Sequence, residues 1–309
     1  MSIIEKISDA LCVDKNALLI FSSTAPYRYK VYEIPKRSGH GTRVIAHPAK
    51  QLKFIQRLII KEISNLVSIH DCAYAYKKDI SIKDNALVHK DNRYLLKMDF
   101  KNFFPSITPE LLFHEFSNAG VSFKIDEKEF LSKMLFYKPT RKSTLRLSIG
   151  APSSPFISNF IMYRFDSIIS NYCKSNNIKY TRYADDITFS TNIKNALFSI
   201  PKMVSKILTE NNYNLRINSE KTVYTSRAHN IHVTGITITP EGKLSTGREN
   251  KRKLQAMLHR FIQSKLTDKE TEQLKGYLAF AFFIEPDFRD RLINKYGIEY
   301  CCKIFKCGG

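Results

Sequence analysis

Tyr183-Ala184-Asp185-Asp186 sets two carboxylates side by side between apolar flanks, with Tyr180 and Tyr183 before them and Ile187 and Phe189 after. Adjacent like charges in such a strand-like setting repel, so something cationic should compensate them. Two magnesium ions do so in sites that clamp the attacking and leaving oxygens of a phosphoryl transfer. A solvated Asp-Asp turn is the bland alternative, and the rest of the chain bears on the choice.

A third acid, Asp99, follows the apolar run Tyr94-Leu95-Leu96 and opens Asp99-Phe100-Lys101-Asn102-Phe103-Phe104-Pro105, a strand end entering a turn closed by proline. A carboxylate at a strand end is free to reach a shared metal. Between the acid sites lies Gly150-Ala151-Pro152-Ser153-Ser154-Pro155-Phe156-Ile157-Ser158-Asn159. Its glycine and small side chains admit close backbone approach, and the apolar run that follows predicts a helix. The order is acid, small-residue segment, paired acids.

These strings, in this order, resemble motifs A, B and C of the reverse transcriptase palm. Asn85-Ala86-Leu87-Val88-His89 is similar to the NAxxH element of retron reverse transcriptases, and Val233-Thr234-Gly235 to their VTG element. The similarity runs from Arg43 to Leu274-Lys275-Gly276-Tyr277-Leu278, nearly the whole chain. It implies an α+β fold, a right-hand polymerase with fingers, antiparallel-sheet palm and small helical thumb. The implied division is 1–93 for N-terminal helices and fingers, 94–239 for the palm with a fingers insertion at about 120–148, and 240–309 for the thumb. The implied activity is RNA-directed DNA synthesis that recognises a structured noncoding RNA, starts from a guanosine 2′-hydroxyl and leaves branched msDNA. Relatives act in antiphage defence with an effector protein. Two other readings stay open: a different bacterial lineage, expected to carry extra domains or lack NAxxH, and a scaffold that holds RNA or msDNA and restrains an effector without synthesis.

In polymerase chemistry one metal acidifies the primer hydroxyl and another stabilises the departing pyrophosphate. Asp99 and Asp185 are the expected ligands of two Mg²⁺ ions; Asp186 carries the family's third acid, but strand alternation would turn it away from Asp185 into a supporting place. The resemblance casts Phe104 as the ring that excludes a ribonucleotide 2′-hydroxyl, Lys221 as the lysine that protonates pyrophosphate, and Arg43, Gly150 and Ala151 as nucleotide-binding. Core packing for Phe104, a solvated Lys221 and a plain backbone-phosphate contact for Arg43 are the respective alternatives. Asn85, His89, Val233, Thr234 and Gly235 are expected to recognise RNA, together with Arg248, Lys251 and Arg252. Their alternatives are a capping asparagine, a packed histidine and a strand with a bulge glycine. One departure stands out: relatives carry Leu-Pro-Gln-Gly where this chain has Leu147-Ser148-Ile149-Gly150, so a hydrogen bond to the nucleotide is lost.

Composition agrees with a polyanionic partner. The 309 residues are 43% hydrophobic and 25% charged, ordinary for a globular chain, and 49 Lys and Arg against 29 Asp and Glu give +20. The longest apolar run, Tyr277 to Ile284, falls far short of the ~20 residues of a spanning helix, so no membrane association is expected. The six cysteines show no zinc-like pairing, Cys301, Cys302 and Cys307 included, and without a secretory signal they should stay reduced in the cytoplasm.

Along the chain, residues 3–20 predict short helices and Tyr27–Ile34 with Thr42–Ala46 a hairpin whose tip, Pro35 to Gly41, is basic. Leu52, Ile55, Leu58 and Ile59 mark a helix with Lys53, Arg57 and Lys61 on its other face. Palm helices are expected at Pro109–Ala119 and Pro155–Cys173, and palm strands around Asp99, Asp185, Leu215–Ile217 and Ile231–Ile238. Lys138 to Arg146 carries four basic residues and no acid, as suits a phosphate backbone. Two thumb helices follow a basic entry at Lys243 to Lys253, with no length left for an added nuclease domain.

Overall fold

Residues 1–36 and 41–306 are described by the structure, a computed structural model; the hairpin tip at 37–40 and Cys307 lie outside the described residues. Helices α1 (Ile3–Leu11) and α2 (Lys15–Thr24) precede the hairpin β1 (Tyr29–Pro35) and β2 (Thr42–Pro48). Then come α3 (Lys50–Ser64), α4 (Ile82–His89), β3 (Tyr94–Asp99), the single turn α5 (Phe103–Ser106), α6 (Pro109–Asn118) and α7 (Ile125–Leu135). The palm continues with α8 (Ser154–Ile161), α9 (Tyr163–Ser175), β4 (Lys179–Tyr183), β5 (Asp186–Thr191), α10 (Ile200–Glu210) and β6 (Val223–Ser226). A small sheet, β7 (Ile231–Val233), β8 (Ile236–Ile238) and β9 (Leu244–Ser245), leads into α11 (Arg248–Ile262), α12 (Asp268–Ile284), α13 (Pro286–Tyr296) and α14 (Ile298–Lys306).

The main sheet has strand order β4-β5-β3-β6, antiparallel throughout, and its pairing register assigns each side chain to a face. Leu96, Met98, Tyr180, Ile187 and Phe189 point into one large core shared with α1, α3, α6, α7, α8 and α9. Leu95 points the other way, into a smaller cluster with Ala86 of α4 and Ile231, Val233, Ile236 and Ile238 of the small sheet. Asp99 and Asp186 are cross-strand partners and so share this second face, at the end of the sheet beyond α4.

Local signals explain most boundaries. Ser81 caps α4 through Lys83 and Asp84 N–H, and Asp84 returns the bond in a capping box, while Thr108 caps α6 just before Pro109. The α3 stripe buries Leu52, Ile55, Gln56, Ile59 and Ile63 and leaves Arg57 exposed. The thumb helices pack on their own apolar set, which includes Leu254, Leu258, Leu274, Leu278, Phe288 and Leu292. Ile284, at the end of α12, belongs instead to the Ala86–Leu95–Val233 cluster, and Lys83 Nζ donates to the Phe283 carbonyl at 2.6 Å, so α4 joins palm to thumb.

Several expected elements differ. Leu215–Ile217 forms only an isolated bridge, Phe100 to Ile217, because that segment runs past the end of β3; the fourth strand is Val223–Ser226. Ile231–Ile238 is two strands, since Thr234 and Gly235 take φ of 47° and 84° and make a two-residue hairpin turn. The helix at Pro155–Cys173 breaks at Met162 into α8 and α9, and among the described residues the thumb has four helices rather than two. Among the described residues, no helix is long and apolar enough to cross a membrane.

Candidate active site

Asp99 is the last residue of β3 and Asp185 lies in the two-residue turn between β4 and β5, where Tyr183 pairs with Asp186. Both line a cleft of about 820 Å³ whose walls also include Arg43, Phe104, Gly150 and Ala151. Asp186, expected in a supporting place, is not among the described residues that line this cleft. Asp185 is a turn residue, to which alternation does not apply, and Asp186 lies across from Asp99 on the same sheet face. Burial and then the charges of Asp186 and Asp99 push the Asp185 carboxyl up to about 6. Burial likewise raises Asp186.

Hard oxygen donors held together against their own repulsion suit a hard divalent cation, the kind of ion the reverse transcriptase fold generally uses. Among the described residues no three acids close into a full protein cage. Two carboxylates completed by substrate phosphates is, however, an ordinary Mg²⁺ arrangement. Lys221 Nζ bonds Asp99 Oδ2 at 3.0 Å, supplying positive charge at this spot.

The turn that carries Asp185 is held from beneath by a buried charge cluster that the motif reading missed. Ala184 sits at φ 57°, a region that costs a residue with a Cβ. Its carbonyl accepts from Arg182 Nη1 at 3.1 Å, and Phe100 N–H donates to the Asp185 carbonyl at 3.2 Å. Arg182, fully buried, reaches Asp166 of α9 through Nε and Nη2 at 2.7–3.1 Å and Asn159 of α8 through Nη1 at 3.1 Å. Tyr180 Oη donates to Asp166 at 2.7 Å. Burial opposes the guanidinium charge, and Asp166 more than offsets it, so Arg182 titrates above its ordinary value. The sequence signal was available: an arginine between apolar strand residues requires a buried acid somewhere.

The cleft walls separate by chemistry. Lys36, Arg43, Lys53, Arg57 and Lys101 contribute positive charge. Gly150 has φ 120°, and a Cβ there would stand 3.2 Å from Ile45 Cγ2 and 3.3 Å from the Ala46 carbonyl, so only glycine lets β2 approach this floor. Ala46 N–H donates to the Ile149 carbonyl at 2.9 Å, while the Ile149 side chain lines the cleft. Phe104 is half-buried, edge-on to Phe103 with ring centroids 5.4 Å apart. Tyr76, from the loop after α3, also faces this space.

Asn85 and His89 are not surface contacts for RNA; both are buried on the inner side of α4, and this corrects the expectation. His89 bonds Ser190 Oγ at 2.7 Å and Thr181 Oγ1 at 2.8 Å, pinning α4 to β5 and β4. Asn85 Nδ2 donates to Thr234 Oγ1 at 3.4 Å, so the two elements the family similarity singled out, 149 residues apart, meet here. That bond holds a β-branched residue at φ 47°, leaving Val233 buried and Gly235 exposed at the tip. Of the thumb cations, Arg248 and Arg252 are exposed, whereas Lys251 bonds both Glu285 oxygens at 3.1 Å and is partly neutralised by them.

A family model described as "Reverse transcriptase (RNA-dependent DNA polymerase)" matches residues 34–238. The chain is 44% identical over 282 residues to the Retron Ec83 reverse transcriptase of Escherichia coli, covering 90% of each, and 33% identical over 284 residues to the Retron Ec73 reverse transcriptase of the same organism, covering 88% of each. A telomerase structure from Candida albicans is alike in fold alone, with a TM-score of 0.51 and 14% identity over 90% of this chain and 58% of that one.

Proposed function

The chain belongs to the reverse transcriptase family as a retron-type RNA-directed DNA polymerase, and on that premise we propose that it copies a structured noncoding RNA into branched msDNA from a guanosine 2′-hydroxyl. The observation that carries the reading is the convergence of Asp99 and Asp185 on one cation-walled cleft with Phe104, Gly150 and Ala151. Asp99 and Asp185, with Asp186 beside them, would hold two Mg²⁺ ions, which when bound supply Lewis-acid charge at the attacking and leaving oxygens.

The chain's own groups do the rest. Arg43, with Lys53 and Arg57, suits the triphosphate of an incoming deoxynucleotide, since fixed guanidinium and ammonium groups replace the water lost from its phosphates. Phe104 excludes a 2′-hydroxyl by bulk. Lys221, one hydrogen bond from Asp99, would hold and deliver a proton to the departing pyrophosphate. Arg248 and Arg252 neutralise RNA phosphates without reading sequence, while the Thr234-Gly235 tip, braced by Asn85, presents a shaped surface to folded RNA. The fingers, palm and thumb boundaries of the family division, a cytoplasmic location, and service in antiphage defence with an effector protein complete the proposal.

The test is Asp185→Asn in the full chain, co-expressed with its adjacent noncoding RNA. DNA synthesis should fall at least a thousandfold, on the order of a lost metal ligand, while RNA co-purifies as before. Normal msDNA from the variant would sink the catalytic assignment. A second reading, a scaffold that binds RNA or msDNA and restrains an effector without synthesis, draws on Ile149 in the cleft wall; it predicts no synthesis by the wild-type chain either.

A further inference from the structure

Among the described residues, ten other than glycine occupy the left-handed backbone region. Asn102, Asn177, Asn195 and Asn212 are of a type that goes there readily, as is Asp79, and Cys12 and Ser264 follow the ends of helices. Ala184 and Thr234 do not belong to that class, and each has a hydrogen bond that accounts for it: Arg182 to the Ala184 carbonyl, Asn85 to the Thr234 hydroxyl. Tyr76, at φ 61°, is the exception: among the described residues its side chain has no hydrogen-bond or aromatic partner.

The strain is imposed by what precedes it. Cys72 and Tyr74 are tied to the backbone of Arg182 on both sides, at 2.8 Å each, and Asn159 Nδ2 donates to the Ala75 carbonyl at 2.8 Å. Ala73 and Ala75 are fully buried. The chain therefore leaves the palm interior at a fixed point and a fixed angle, and Tyr76 is the first residue out. The residue is 51% exposed yet stands in the wall of the cleft that holds Asp99 and Asp185. Strain kept at such a place, in a half-exposed side chain with no hydrogen-bond or aromatic partner among the described residues, argues for a ligand.

We propose that Tyr76 contacts substrate, its ring stacking on a nucleobase at the point of insertion. The inference rests on the polymerase reading of the cleft. Stacking fits the surroundings: the cations take phosphates, and Ile149 puts an apolar side chain where the family has a hydrogen-bonding glutamine, so an aromatic face is the group left to grip a base. The base belongs either to the incoming nucleotide or to the primer–template strand.

Tyr76→Gly and Tyr76→Phe in the full chain test this, each measured for melting temperature, apparent KM for dGTP on a primed RNA template, and Kd for that primer–template without nucleotide. Glycine removes the ring and relieves the backbone, so its melting temperature should hold or rise while KM or Kd increases roughly tenfold. A raised KM assigns the base to the incoming nucleotide and a raised Kd to the strand. Phenylalanine should behave as wild type. Unchanged KM and Kd in the glycine variant, a fall in its melting temperature, or a phenylalanine variant as impaired as glycine would each overturn the proposal. Wild-type extension is the separate control on the polymerase reading, and the binding measurement needs no synthesis.

Discussion

Replacing Arg182 with methionine should separate what this buried charge does for stability from what it does for chemistry. Arg182 makes five side-chain hydrogen bonds, three to Asp166 and one each to Asn159 and the Ala184 carbonyl. Methionine fills similar space but leaves the fully buried Asp166 carboxylate with only the Tyr180 hydroxyl, and orphans two further acceptors. Breaking a buried pair costs about 3–5 kcal/mol, and the orphans argue for the upper end. That is a large part of the ~5–15 kcal/mol typical of a domain, equivalent to a drop of roughly 10 °C in Tm. Adding Asp166→Asn discharges the site while keeping an acceptor for Tyr180, so urea unfolding should recover most of the loss. Primer extension should not recover: the Ala184 carbonyl still lacks its anchor, and a displacement of Asp185 by about 1 Å costs roughly a hundredfold. Full return of synthesis with stability in the double variant would refute a positioning role for Arg182; a single-variant loss below about 1 kcal/mol would refute the burial argument itself.

Phe104→Ala should cut the preference for dGTP over GTP on one primed template by roughly tenfold or more, because bulk alone does the excluding; an unchanged ratio would mean the ring is only core. His89, pushed down to about 3 by burial and then by Lys179, predicts an acid-sensitive fold. Between that value and about 6.5 the unfolded chain binds a proton the folded chain refuses, so this stability is complete above about 6.5 and is lost towards pH 3 at up to about 1.4 kcal/mol per unit. Asp185, raised to about 6, adds the opposite slope between about 4 and 6, so the difference between wild type and His89→Gln in chelator-treated protein isolates the histidine, and parallel curves would contradict its burial. Charge reversal at Arg248 and Arg252 should weaken binding to every RNA and flatten its salt dependence, whereas Thr234→Val, which removes the acceptor for Asn85, should impair initiation on the cognate RNA more than extension of an annealed primer. Equal loss in both assays would make the Thr234 turn general scaffolding.

Chemistry written in contiguous residues was legible in the chain itself. Asp99 at a strand end, the glycine-led Gly150 segment and the paired acids at Asp185 resemble a polymerase palm because such contiguous strings carry the family's motifs in order. The same locality misread faces. Strand alternation does not apply to Asp185, a turn residue, and the register that sets Asp186 across from Asp99 comes from a strand far off in the chain. Asn85 and His89 look like recognition residues in one dimension; the sheet beneath α4 makes them buried braces. Lys251 looks free until Glu285 folds against it.

What the sequence by itself determined was therefore the family and its polymerase activity, with Asp99 and Asp185 as the proposed carboxylates of the site. Only tertiary structure decided which side chains line the cleft and which hold others in place. The reason is physical: composition and spacing specify what a segment can do, but burial and orientation depend on partners distant in the chain. Asp166 beneath Arg182, Thr234 beside Asn85 and the ties that push Tyr76 into the cleft exist only once the sheet has closed on its helices.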